Sequence, residues 1–214
     1  MTFDDALAAL TALADPARAA DLTTRFGPVD PFGVAPAALE DLARTWRQEV
    51  AFPARLDLAR ALWSNGRHEA RIMAAKLLTQ ARIAEDGAVW DQIVAWIADA
   101  RNWAEVDALA SAGGRRIMVD LARLQTVYEL STSERGLERR AALQLSHPLA
   151  KLANPSAQEV NALDDILPML TSTLADPDTD VSRCADAWLR SLAKHDLKRA
   201  RMIRRVVSAR KSDG

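Results

Sequence analysis

One carboxylate in this 214-residue chain stands where an apolar side chain is expected. In the segment Asn102-Trp103-Ala104-Glu105-Val106-Asp107-Ala108-Leu109-Ala110, the residues Trp103, Val106 and Ala110 recur at i, i+3 and i+7, the spacing of one helix face. Asp107, four residues after Trp103, lies on that same face. A carboxylate so placed must be hydrogen-bonded, ion-paired or open to a cleft, because burying it alone is costly. Two readings stay open here: an acid that caps a helix or pairs with an arginine, and an acid held for chemistry. Trp103 alone reads as core as readily as site.

The other chemistry-bearing residues narrow the choice. His68-Glu69 is followed by Ala70-Arg71-Ile72, so no second histidine completes an H-E-x-x-H zinc motif, and an interhelical hydrogen bond or ion pair is expected instead. The single cysteine, Cys184, excludes an internal disulfide and is expected to pack in a helix interface. There is no Gly-rich phosphate loop and no G-x-S-x-G, and Asp164-Asp165 reads as a solvated helix face. No metal and no cofactor is implied. The net charge of -1 hides a gradient. Residues 1–45 carry seven acids and three bases, whereas residues 183–214 carry ten bases and three acids. Within 195–211, Leu197, Met202, Ile203, Val206 and Val207 are expected to form one buried stripe. That leaves an Arg/Lys face either for phosphates or as the polar outer side of a terminal helix.

The elements that position these groups are helical. Ala and Leu supply 42 and 27 residues, while β-branched and aromatic residues are sparse. The fold class is all-α. Helices are expected over 3–14, 16–25, 36–50, 53–64, 67–83, 86–99, 101–112, 115–129, 133–146, 157–175, 178–194 and 195–211. Starts are signalled by Asp15-Pro16, Ala35-Pro36, Ser133-Glu134 and the capping-box pattern Ser156-Ala157-Gln158-Glu159. Gly113 and Gly114 are read as a stop. Short links and hairpins of similar size favour a curved α-solenoid of helical hairpins over a compact bundle. The expected organisation is a single domain over 1–214, with N-terminal helices in 1–45 and a basic C-terminal helix and tail in 195–214. The acidic N-terminus and the absence of a long apolar run point to a cytoplasmic protein.

Five segments in order resemble the AlkD-like DNA alkylation repair glycosylases, a family of HEAT-like helical repeats. They are Phe32-Gly33-Val34; Leu62-Trp63 with His68-Glu69-Ala70-Arg71; Trp103 to Asp107 with Ala108-Leu109-Ala110; Arg139-Arg140-Ala141-Ala142; and Trp188-Leu189-Arg190. The chain departs from the family pattern at Ala187, which falls at a family aromatic position, at Leu137, where Trp is usual, and at Glu40, where Arg is.

The resemblance implies an N-glycosylase that hydrolyses the N-glycosidic bond of cationic alkylated purines of the 3-methyladenine and 7-methylguanine type in duplex DNA. It assigns Asp107 as the catalytic carboxylate, stabilising positive charge on the deoxyribose and positioning water. Trp103 and Trp188 are the expected lesion contacts. Arg140, Arg139, Arg190, Arg204 and Arg205 are the expected phosphate ligands. The expected partner is duplex DNA, with no membrane and no metal; the expected state is a monomer in the bacterial cytoplasm with access to the nucleoid. The alternatives are a non-catalytic DNA-binding or scaffolding protein of the same fold and a helical-repeat protein adaptor.

Overall fold

The computed structural model describes residues 1–212, with side chains described to residue 209. The last two residues of the expected basic tail lie outside that range. Twelve α-helices and two 3₁₀ turns, with no strands, make up the described chain. Two compact units divide it, residues 1–96 and 97–214, the division falling inside one helix.

The first unit holds α1 (Phe3–Ala12), α2 (Pro16–Phe26), α3 (Pro36–Glu49), α4 (Ala54–Asn65), α5 (His68–Leu77) and most of α6 (Gly87–Asp99). The expected start at Asp15-Pro16 is capped: the Asp15 carboxylate accepts from the Ala17 and Arg18 amides at the head of α2, and Thr2 and Asp5 close a capping box on α1 that the sequence signals do not mark. Gly66, left-handed at φ 81°, ends α4 and turns the chain into α5. These two helices bury Leu56, Leu58, Leu62, Trp63, Met73 and Leu77 together. The helix expected over 67–83 stops at Leu77. The Leu78 and Thr79 amides donate to the Ala75 and Lys76 carbonyls, and the Thr79 hydroxyl returns to Ala75, so local bonds replace the next helical turn.

The second unit holds α7 (Trp103–Ile117), a 3₁₀ turn (Leu121–Arg123), α8 (Leu124–Ser131), α9 (Gly136–Ser146), a second 3₁₀ turn (Leu149–Lys151), α10 (Ala157–Thr173), α11 (Thr179–Ala193) and α12 (Leu197–Ser212). Helix α9 is central, packing against α7, α8 and α11. Gly113 and Gly114 do not stop a helix: α7 runs through both to Ile117. A Cβ on Gly114 would lie 2.9 Å from the Pro148 ring and 3.1 Å from the Leu145 carbonyl oxygen. The glycine permits close approach of the chain at the end of α9, which outweighs its low helix propensity. In α12 the buried positions are Ala200 and Ile203, while Leu197, Met202 and Val206 stand 49%, 51% and 41% exposed. The single buried stripe expected from all five apolar residues is therefore divided. Among the described residues no helix is long and apolar enough to cross a membrane.

Candidate active site

Helix α7 starts at a strong cap. The Asn102 side chain accepts from the Ala104 and Glu105 amides, and the buried Glu105 carboxylate accepts from the Arg101 amide at 3.0 Å. With its N-terminus fixed, Trp103 and Asp107 stand one turn apart at the edge of the buried stripe, both partly exposed, while Val106 and Ala110 are sealed.

Asp107 meets α9. Its Oδ1 accepts from Arg140 Nε at 2.8 Å and its Oδ2 from Arg140 Nη2 at 2.7 Å, the parallel fork that gives a guanidinium–carboxylate pair its directionality. Gln144 Nε2, one turn after Arg140, adds a third donor to Oδ1 at 3.2 Å. The Arg140 guanidinium also lies 5.4 Å from the Trp103 ring centre. Trp103, Asp107 and Arg140 thus converge. Arg140 is 14% exposed and Asp107 30%, so the carboxylate is paired yet still reached by solvent. Burial works against the Arg140 charge, but the hydrogen bonds and attraction of Asp107 outweigh it, and the guanidinium is held above its ordinary value.

Beside this pair, between α9 and α11, is a cavity of about 210 Å³ lined by Arg140, Gln144, His147, Arg183, Cys184, Ala187 and Trp188. Burial, helped by the charge of Lys151, pushes His147 down to about 4, so its ring is neutral at pH 7; its Nε2 sits 2.8 Å from the Ser191 hydroxyl. Burial likewise pushes the Cys184 thiol up to about 11, which removes it as a thiolate nucleophile.

Two expected site residues do other work. Trp188 is 1% exposed and donates its indole N–H to Ser146 Oγ at 3.2 Å. It forms a buried wall and offers no open face to a lesion. Arg139, one residue from Arg140 and so turned about 100° around α9, forks onto Asp176 at 2.7 and 2.9 Å and donates to the Ser133 and Glu134 carbonyls. Its donors are committed inside the fold rather than presented to phosphates. Arg190, Arg204 and Arg205 are exposed, and none lines the cavity; Arg204 reaches Asp186 at 4.0 Å. Among the described residues no group of three or more His, Cys, Asp or Glu side chains could hold a metal.

The family model described as DNA alkylation repair enzyme matches residues 6–202. This chain belongs to the DNA alkylation repair enzyme family. The curated proteins and the solved structures contain no significant match to it. The family assignment spans both the Asp107 cluster and the N-terminal motifs, and the structure separates their roles. In the first unit the Glu69 carboxylate, 1% exposed, accepts from the amides of Phe32, Gly33 and Val34 at 2.7, 2.7 and 3.1 Å. Arg67 stacks 3.5 Å from the Phe32 ring centre and Arg71 lies 3.7 Å from that of Trp63. The Phe-Gly-Val and His-Glu-Ala-Arg motifs of this family member are one loop and its anchor. The bond expected of Glu69 runs from a helix to a loop.

Sequence reasoning missed Gln144, His147 and Arg183. The signal was present: Arg140, Gln144 and His147 recur at i, i+4 and i+7, as do Arg183, Ala187 and Arg190.

Proposed function

We propose that this member of the family is an alkylpurine DNA N-glycosylase, with Asp107 as its catalytic carboxylate. The observation that carries the reading is the convergence of a partly open carboxylate with an indole and a guanidinium on two packed helices. A cationic N-alkylpurine is already a good leaving group. The N-glycosidic electron pair departs with the base, which neutralises it, and positive charge develops on the deoxyribose C1′. Asp107 stabilises that charge and orients the attacking water, whose proton passes to the carboxylate or to solvent. The Trp103 ring supplies an electron-rich face to the cationic nucleotide. Arg140, already oriented by Asp107, holds a neighbouring phosphate. The wider reading is a single HEAT-like domain over 1–214 whose hairpins form a curved solenoid, acting as a monomer on duplex DNA in the bacterial cytoplasm.

The test is release of free base from duplex DNA containing 7-methylguanine. Wild-type protein should liberate 7-methylguanine and leave an abasic site, and Asp107→Asn should lower the single-turnover rate by at least about 100-fold, the scale of removing a main electrostatic or acid–base group. Wild-type release no faster than in buffer overturns the enzymatic reading. A second reading, a DNA-binding member without excision, is favoured by the double occupation of the Asp107 oxygens by Arg140 and by the sealed Trp188. It calls for salt-dependent DNA affinity with no base release.

A further inference from the structure

The cavity beside Asp107 is charged in one sense only. Two arginines, Arg140 and Arg183, line it, and no carboxylate does. Its remaining polar groups, the Gln144 amide and the His147 ring, are neutral at pH 7. Arg183 is exposed and forms no hydrogen bond or ion pair among the described residues, in contrast to Arg139, Arg140 and Arg199, which all fork onto aspartates. Asp107 occupies Nε and Nη2 of Arg140, while Nη1 has only a long 3.3 Å contact to the Asp180 carbonyl. Ala187 also lines the cavity, and its small side chain takes up little of the space. An uncompensated cation, a second cation held in a fixed orientation and an amide donor around one small open space are what an oxyanion requires.

We propose that this cavity is a subsite for one DNA backbone phosphate, clamped between Arg183 and Arg140, with Ala187 providing the room. The inference rests on the DNA reading above and deepens it: Arg183 becomes a positioning residue that sets the register of the duplex against Asp107. It acts through binding, so it is read without reference to excision. Arg190, two turns along α11 on the same face, continues the basic line about 10 Å further on.

Affinity for a short undamaged duplex is measured by fluorescence anisotropy across a range of NaCl concentrations, for wild type, Arg183→Gln, Arg183→Lys and Ala187→Leu. Each neutralised phosphate contributes about 0.9 to the slope of log K against log salt. Arg183→Gln should lower that slope by about one phosphate equivalent and weaken binding several-fold at low salt. Arg183→Lys should keep most of the slope, since a point charge still meets a phosphate. Ala187→Leu is decisive: it removes no charge but fills the cavity, and it should lose the same increment as Arg183→Gln. An unchanged slope in Ala187→Leu overturns the cavity assignment, and an unchanged slope in Arg183→Gln overturns the role of Arg183. A parallel arm replaces chloride by inorganic phosphate at equal ionic strength. Thermal stabilisation by free phosphate with no change in the DNA slopes of the variants would assign the site to a free anion and overturn the DNA assignment. Excision by wild type with unchanged variant slopes sinks this inference alone; lost slopes without excision sink the glycosylase reading alone.

Discussion

Glu69 is a main anchor of the loop ahead of α3, because three consecutive backbone amides converge on its two oxygens inside the first unit, beside the Asp15 and His68 amides that donate to the Phe32 and Asp30 carbonyls. A glutamine there keeps one acceptor oxygen and turns an NH2 group toward amide donors. Glu69→Gln should therefore cost about 2–3 kcal/mol, the range for hydrogen bonds to a charged group plus a buried donor left unmet. Gly33, at φ +82° with an ideal Cβ only 2.0 Å from the Asp15 carbonyl oxygen, makes the same point from the backbone side. Thermal melts read the prediction, and a melting temperature for Glu69→Gln within about 1 °C of wild type would contradict it. Residue spacing exposed Asp107 as anomalous, since an acid at i+4 from Trp103 breaks an apolar stripe. It could not choose between pairing and chemistry, because the partner, Arg140, is 33 residues away and reaches it only through the packing of α7 on α9. In the structure the pair exists and the carboxylate is still partly open.

At the scale of elements, the sequence revealed helices better than it revealed how they touch. Caps at Asp15 and Ser156 are local hydrogen bonds and so legible. Gly114 is misleading as a stop signal because its smallness serves a tertiary approach to Pro148, a demand no local pattern carries. Arg139 is a similar case, since its partner Asp176 lies in the segment before α11 and also accepts from the Asp178 amide at 2.9 Å. The Arg139–Asp176 fork fixes α9 against the start of α11, the two helices that wall the cavity. The hydrogen bonds from Arg139, together with the Asp178 amide and the Arg139 charge, hold the Asp176 carboxyl below its ordinary 3.8 against the opposing effect of burial. A lowered folded-state value means the contribution is fully present above pH 3.8 and is lost as pH falls through the folded value. Asp176→Asn should cost about 1.5–3 kcal/mol at pH 7, and the difference from wild type should shrink steadily below pH 3.8. Urea unfolding of both proteins at several pH values measures it; a gap that stays constant into acid would show that the pair contributes through shape rather than charge.

Across the whole chain, near-zero net charge conceals a strongly basic C-terminal stretch. Of its ten bases, Arg199 is committed to Asp164 and Asp196, holding α12 against α10. Arg190, Arg201, Arg204 and Arg205 remain exposed. If that surplus meets phosphates, its loss should change how affinity responds to salt; if it merely solvates a terminal helix, reversal there should matter no more than reversal elsewhere. Arg204→Glu with Arg205→Glu removes four charge units from α12, and Arg18→Glu with Arg44→Glu removes the same number from the acidic N-terminal segment. With both double variants at equal net charge, long-range repulsion of DNA is matched between them, and any excess effect is local. The α12 variant should weaken duplex binding by about 10-fold or more at low salt and flatten the salt slope by one to two phosphate equivalents, beyond the effect of the N-terminal control. Equal slopes in the two variants would leave α12 as a polar cap on the fold and confine the DNA contacts to the face that carries Arg140 and Arg183.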